Sequence, residues 1–486
     1  MYNSMIEFKV LDDSLIDRIL DEAYLLLEKT GVEVQCDELI QRMEQAGLPV
    51  DKETNRVTFP QTVVEQSIAS APATIQLFDR DGNPFSSIGG DSTNFVPASS
   101  ALNILDWRTG ERRRAQTADF IEYIKVAEQA KHLAYPSTAF STEDVPQDIA
   151  DAWRLYLVMT HSRKPVVTGA FTHHGVPRMA RMMECFRPNK NELMEKPMAV
   201  FTCCPNSPLR WSIDSSHNLI DCVEKGIIVE VVPVLMIGLA APVTIVGTLV
   251  MQTAEVLSGV VFTQLIKPGA PVIFGGAPGV FHMQLMSAPM TGVEALQLYC
   301  GYGQIARHLQ IPSQAYMGLG DGKFNDPQAG SETASGAYLA ALSRINQVTG
   351  AGMLDFVNCF SLEKLVFDDE ICGHVLHFMR DIEVKGDLPI KPFIDELLTE
   401  QQICTMEHTL ENWPKELYMP GPMVDRTSWE QWEQFGSKSW QDRARDTVQA
   451  ALDSYDEAPV EEKLDRELRN IISNSQVDPK DLPAIS

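Results

Sequence analysis

The stretch "IIVEVVPVL" (227–235) reads as a strand buried on both faces, because its apolar residues run without the alternation of a half-exposed strand. A long apolar segment of helical length (244–266) follows it, and then a second short run, "PVIFGG" (271–276), with its own helix near 291–309. Two buried strands joined through a helix pair in parallel, since the helix carries the chain back to the end where the first strand began. Outward from this unit the same alternation repeats. "PVVTGAF" (165–171) precedes a helix near 176–185, and "PMAVFTC" (197–203) precedes one near 213–225. Downstream, "PSQAYMG" (312–318) precedes 328–346, and "TGAGMLDF" (349–356) precedes 362–380. Two further units pair 94–105 with 117–131, and 134–142 with 147–161. Eight strand-then-helix units in one uninterrupted series predict an α/β fold of the (β/α)8 TIM type rather than an open doubly wound sheet.

The ends of the chain have a different texture. Residues 1–90 carry an amphipathic helix near 12–29, a second near 37–46, and short strand signals around the turn "RDGN", which predicts a helical and hairpin cap. The barrel is expected over 91–383. Residues 384–486 are charged and helical, and Trp429, Trp432 and Trp440 are expected to pack this extension back on the body, as one large domain.

With 486 residues and 44% apolar composition, the chain can bury a substantial core. A net charge of −26 disfavours nucleic acid and anionic membrane surfaces as partners. The most apolar segment, 227–250, is interrupted by Glu230, Pro233, Gly238 and Pro242, and so reads as buried strand and loop rather than a membrane span. Nine cysteines without a C-x-x-C pair suit free thiols in a reducing cytoplasm. No secretory leader is legible at the start, and a cytoplasmic protein is expected.

In a barrel of this kind, chemistry sits in the loops after the strands. The loop "GLGDGKFNDPQAG" (318–330) looks like a phosphate loop, yet Lys323 is followed by Phe324 where a P-loop needs Ser or Thr. Its glycines suit tight turning or close approach to a ligand. Asp326 before Pro327 reads as a helix cap, whereas Asp321 is a candidate for the site. His173, His174, Cys203 and Cys204 end strands, but neighbours in a strand point to opposite faces, so a zinc site is the weaker reading. There is no G-x-S-x-G and no H-E-x-x-H. Phe95, Trp211, Phe281, Tyr316 and Phe356 fall near strand ends, where aromatic faces attract cations and quaternary ammonium groups especially.

Several longer motifs resemble a known family. They are "DWRTGERRRAQTADF" (106–120), "APVTIVGTLVMQTAEVLSGVVFTQLIKPGAPVIFGGAPG" (241–279), "DPQAGSETA" (326–334), "GMLDF" (352–356), "EKLVFDDEICG" (363–373) and "EHTL" (407–410). Together they are similar to the trimethylamine methyltransferase family. The resemblance implies a (β/α)8 barrel. It also implies methyl transfer from a methylated amine to the Co(I) centre of a separate corrinoid protein, with no cofactor or metal held by this chain. Archaeal trimethylamine enzymes carry pyrrolysine in the loop before D-x-Q-A-G. The matching loop here offers only ordinary residues, with Gly320 and Gly322 both candidates for that position. This resembles the pyrrolysine-lacking branch, which includes glycine betaine methyltransferases and relatives acting on proline betaine, carnitine and γ-butyrobetaine.

A quaternary ammonium suits such a site, because it already leaves as a neutral amine and needs no activating side chain. The expected reacting loop is therefore Gly320, Asp321 and Gly322. The expected substrate contacts are Phe95, Trp211, Tyr316, Thr349, Phe356 and His173. A homo-oligomer working with a corrinoid protein is expected. A zinc-dependent thiol methyltransferase or lyase, and a non-catalytic betaine-binding or corrinoid-docking subunit, are the alternatives.

Overall fold

Short parallel strands carry the middle of the chain: β1 (Asn94–Pro97), β2 (Val166–Thr168), β3 (Ala199–Cys203), β4 (Ile228–Val231), β5 (Val272–Phe274), β6 (Gln314–Tyr316) and β7 (Gln347–Ala351). The computed structural model describes residues 6, 8–98, 100–172, 175–189, 191–400, 402–473 and 482–483. The strands form two parallel ladders, β5-β4-β3-β2 and β6-β7-β1. Single parallel bridges link the ladders: Phe274 with Ser313 on one side, and on the other Phe95 with Leu133 and Ser137 with Val167 through the segment 133–137.

Helices return the chain between strands: α1 (Thr117–Gln129), α2 (Ala150–His161), α3 (Gly175–Glu184), α4 (Ile213–Lys225), α5 (Ile245–Ile266), α6 (Val293–His308), α7 (Pro327–Leu342) and α8 (Leu362–Phe378). The strands are buried on both faces, which explains their continuous apolar character. Alternate residues separate into two layers. Val96, Val167, Val200, Ile228 and Ile273 join Tyr135 in an inner cluster. Phe95, Phe201, Val229 and Phe274 belong to the outer layer, against the helices.

The amino-terminal segment closes one end of this arrangement. The hairpin Thr74–Phe78 with Pro84–Gly89 inserts Ile75, Leu77 and Ile88 into the inner cluster. The Phe78 N–H donates to the Pro197 carbonyl (2.9 Å), and the Ser86 hydroxyl donates to Asn94 (2.7 Å), both where strands begin. Helix α5 is long and apolar enough to cross a membrane, but it is mostly buried and packs against the helices Asp13–Lys29 and Gln61–Ser70 and against α6. It is a core helix. Close packing of α7 depends on Gly336, where a β-carbon would lie 2.0 Å from the Met317 carbonyl oxygen.

At the other end of the chain, the helix Trp440–Asp453 packs on α8 and α1, with Trp440 edge-on to Phe367 at 5.2 Å. The helix Glu462–Ser473 packs on α3 and α2. Of the three tryptophans expected to anchor this region, Trp429 is instead 68% exposed, its ring tilted against Trp432 at 5.0 Å and its indole N–H donating to Glu433 (2.9 Å).

Candidate functional site

A cavity of about 430 Å³ opens at the carboxyl ends of the parallel strands, the side on which α/β folds bind ligands. Inward-facing residues within the strands and just past them build its walls. Val167 and Gly169 follow from β2, Thr202 and Cys204 from β3, Val232 from β4, Ala277 from β5, Tyr316 from β6 and Thr349 from β7. Met236, Met290, Val234 and Phe171 add apolar surface, and Phe356, Val357 and Asn358 come from the loop after β7. The wall is predominantly apolar and aromatic, with hydroxyls at Ser100, Thr138, Thr168, Thr202 and Thr349.

A carboxyl group lies beneath this cavity. Glu230 is the one acidic residue in the strand run 227–235, and its parity with Ile228 turns it inward. Thr202 Oγ1 donates to Glu230 Oε1 (3.2 Å), Gln347 Nε2 donates to Oε2, and Tyr135 donates its hydroxyl to Gln347 Oε1 (3.0 Å). Burial pushes the Glu230 carboxyl up to about 8, against the lowering effect of these hydrogen bonds. At neutral pH the floor is therefore uncharged. The sequence signal was a lone carboxylate inside a buried strand, first visible only as a break in an apolar run.

The expected site residues divide. Tyr316, Thr349 and Phe356 line the cavity. Phe95 does not: it is on the outward face of β1, buried against the helices. Trp211 is also a packing residue. Its indole N–H donates to Ser258 Oγ (3.0 Å) and its ring sits edge-on to Phe262 at 5.7 Å. Both were expected at the cavity because they fall near strand ends, and in each case the side chain points the other way. His173, with His174, lies outside the described residues.

Gly320, Asp321 and Gly322 are not among the residues lining the cavity. A β-carbon on Gly320 would lie 3.1 Å from Ala329 Cα, and one on Gly322 would lie 3.3 Å from Ala329 Cβ, so both glycines face α7. The Gly320 N–H donates to the Met353 carbonyl (3.1 Å), and the Gly322 carbonyl accepts from Asp355 N–H (2.9 Å). Asp321 is a staple. Its Oδ2 accepts from the N–H (2.8 Å) and hydroxyl (2.6 Å) of Thr291, and its own N–H donates to Glu332 (2.7 Å). Burial raises the Asp321 carboxyl while the Thr291 bonds lower it, and burial prevails. Asp326 caps α7, accepting from Ala329 N–H at 3.0 Å with Pro327 next.

Lys323 connects the two loops. Its ammonium is 3.7 Å from the centre of the Phe356 ring and 3.1 Å from Asp355 Oδ1. Asp355, Phe356 and Val357 all have left-handed backbones, with φ of 54°, 54° and 62°. Three successive non-glycine residues in that region carry real strain, which clusters at functional sites.

Cys203 and Cys204 diverge as alternation requires. Cys203 is buried in the outer layer, and Cys204 presents to the cavity. Cys204 is exposed, and desolvation of its sulfur, with Cys203 and Glu230 nearby, raises its thiol above the ordinary range. Among the described residues, no three His, Cys, Asp or Glu side chains converge as a metal site.

The sequence model described as Trimethylamine methyltransferase (MTTB) matches residues 1–478. The chain is 28% identical over 469 residues to the glycine betaine methyltransferase of Desulfitobacterium hafniense (strain Y51), covering 96% of this chain and 97% of the relative. It is 26% identical over 451 residues to the trimethylamine methyltransferase MttB of Desulfitobacterium hafniense (strain DSM 10664 / DCB-2), covering 93% and 90%. Its fold is similar to the crystal structure of the Methanosarcina barkeri monomethylamine methyltransferase (MtmB), with a TM-score of 0.55 at 10% identity, covering 94% of this chain and 90% of that one. A family match over nearly the whole length, on a mixed α/β chain with its cavity at the strand ends, means that this chain belongs to the trimethylamine methyltransferase family and is a methyltransferase.

Proposed function

We propose that this chain moves a methyl group from a quaternary amine of the betaine type to the corrinoid of a separate partner protein in the cytoplasm. We likewise infer that its strands close an eight-stranded (β/α)8 barrel over 91–383, capped by 1–90 and extended by 384–486. The two parallel ladders, with bridges at both junctions, support that architecture.

The observation that carries the functional reading is the cavity itself. Tyr316, Phe356, Met236 and Met290 offer polarisable apolar surface to a methylated cation, above a floor acid that is neutral at physiological pH. No residue of 318–322 lines this space, so no long side chain from that loop occupies it. The name of the glycine betaine relative agrees with this, and the name of the trimethylamine relative leaves the amine to be decided by the pocket.

The corrinoid supplies a low-valent cobalt that accepts the methyl group. On the substrate side, the bonding pair of the broken C–N bond stays on nitrogen, and a neutral tertiary amine leaves. No proton is needed, which suits a cavity with no ionised acid at its floor. Positive charge on nitrogen falls as the bond breaks, and an apolar wall tolerates that loss better than water does. A neutral Glu230 is a sound floor for this step, because a carboxylate there would hold the cation in its ground state.

The rim suits a docking partner. Leu239, Val243, Met283 and Val293 are exposed around the opening, with Leu285 at 72% and Met286 at 74%. Their loops flank the cavity, to which Met236 and Met290 belong. An apolar rim of this kind marks an interaction surface.

The test is methyl transfer from a panel of quaternary amines and trimethylamine to free cob(I)alamin, followed as methylcobalamin in the visible spectrum. Transfer from at least one quaternary amine, with its demethylated product in equal amount, is expected. Transfer from trimethylamine alone would refute the reading.

A further inference from the structure

Beside this cavity lies a buried positive charge that has no ion-pair partner among the described residues. Arg154, on α2, is 2% exposed. Its Nη1 donates to Ser100 Oγ (3.2 Å) and to the Thr138 carbonyl (3.1 Å), and its guanidinium lies 5.3 Å from the centre of the Phe171 ring. Ser100, Thr138 and Phe171 all line the cavity. The buried Nε makes no hydrogen bond, and among the described residues Arg154 forms no ion pair with a carboxylate.

Asp151, one turn earlier, is the nearest acid to contribute, but its oxygens are spent elsewhere. Oδ1 accepts from Ala152 N–H (2.7 Å), and Oδ2 accepts from the Thr172 hydroxyl (2.6 Å) and from the N–H groups of Phe171 and Thr172 (3.2 Å each). An isolated charge in an apolar interior is expensive, and proteins keep one where an opposite charge arrives to meet it. An anion entering from the cavity side would supply the opposite charge.

We infer that Arg154 is a specificity-determining residue that anchors the carboxylate of a zwitterionic substrate, a quaternary ammonium carrying a carboxylate tail. This rests on the function proposed above and narrows it. Ser100 relays the charge: its oxygen accepts from Arg154, so its own proton is polarised and free to donate into the cavity. The Thr138 and Thr168 hydroxyls, paired at 3.0 Å on the same wall, add a second polar contact. The site therefore separates two kinds of methylated amine. A betaine finds both an apolar wall for its ammonium and a countercharge for its tail. Trimethylamine, or a quaternary amine with a neutral tail, leaves Arg154 unpaired.

The experiment compares glycine betaine with its amide, which keeps the quaternary ammonium but has an uncharged tail, by calorimetric binding and by methyl transfer to cob(I)alamin. Wild-type protein is expected to bind the carboxylate form about tenfold or more tightly than the amide. Arg154→Met should abolish that preference by weakening the carboxylate form alone, leaving amide affinity unchanged. The variant should fold, because replacing an unpaired buried charge by an apolar side chain of similar length is neutral or stabilising. Equal loss for both ligands would mean that Arg154 only supports the wall, and the inference fails. Equal wild-type affinity for the two ligands overturns it without any variant. Methyl transfer from quaternary amines regardless of tail would remove Arg154 from specificity and leave the proposed function standing. Transfer from trimethylamine alone would remove both.

Discussion

Two loops leave the neighbouring strands β6 and β7, and they use glycine in opposite ways. The loop after β6 places Gly318, Gly320 and Gly322 where no left-handed backbone is required, and spends them on close approach to α7 and to the segment 353–355. The loop after β7 needs left-handed backbone at Asp355, Phe356 and Val357 and keeps ordinary side chains there. Glycine would relieve that strain. The difference teaches where side chains are wanted. The first loop gives up side chains to bring backbone close to a helix. The second accepts strain so that Phe356 and Val357 reach the cavity.

The largest effect expected from this contrast is on stability. Gly320→Leu forces a side chain against the Ala329 backbone, already 3.1 Å from where the β-carbon would fall. The expected loss is about 3 kcal/mol in denaturant melts. A variant that melts like the wild type yet transfers no methyl group would show that this glycine faces the substrate, and the contrast between the loops would collapse.

Glu230 tests the inward side of the comparison, because it lies beneath the space into which the second loop projects. Its folded value is about 8 and its ordinary value is 4.5. Between these the folded chain keeps a proton that the unfolded chain has released, so stability falls as pH rises and the loss is complete above the folded value. The slope contributed by this group is up to about 1.4 kcal/mol per pH unit. Glu230→Gln, which mimics the protonated form, should remove that contribution. Matching pH profiles for the two proteins from pH 6 to 7 would mean that the floor is ionised and wet.

Phe356→Ala keeps the β-carbon, so it leaves the backbone strain in place and removes only the ring. A drop in kcat/KM for a quaternary amine of about 1 kcal/mol, roughly fivefold, is expected with little change in melting. Unchanged kcat/KM would make the strain of this loop a matter of folding alone.

The repeating units were legible because buried parallel strands and the helices between them leave long, redundant patterns, as in 227–276. Tyr316 ends β6, Thr349 lies within β7 and Phe356 sits in the loop after it, so the strand pattern alone brings all three near the cavity. Phe95 and Trp211 also fall on or beside strands, yet their side chains turn away from the cavity, because proximity to a strand does not state which face a side chain takes. Phe95 is one residue out of phase with the inward Val96. Glu230 and Arg154 were harder to find. The meaning of each comes from partners remote in sequence: Gln347 for Glu230, and Ser100 for Arg154. The two glycines misled for a related reason. A residue without a side chain carries no sign of whether helix or ligand lies against it.

The smallest effect belongs to Lys323, where the two loops touch. Its ammonium sits 3.7 Å from the Phe356 ring centre, held also by Asp355 Oδ1 and by the Asp321 carbonyl (2.9 Å). A cation bound to one face of an aromatic ring draws on the same electron density that a substrate ammonium uses on the other, and it repels that ammonium directly. Half-exposed to solvent, Lys323 exerts a screened repulsion. Lys323→Met keeps the stem over the ring and removes the charge. KM for a quaternary amine should fall about twofold, with kcat and melting nearly constant. In the double variant with Phe356→Ala, that gain should shrink to the part owed to direct repulsion, because the lysine then has no ring to compete for. A twofold gain that survives loss of the ring would show the lysine acting on the cavity through charge alone, and the two loops as electrostatic neighbours that share no contact in function.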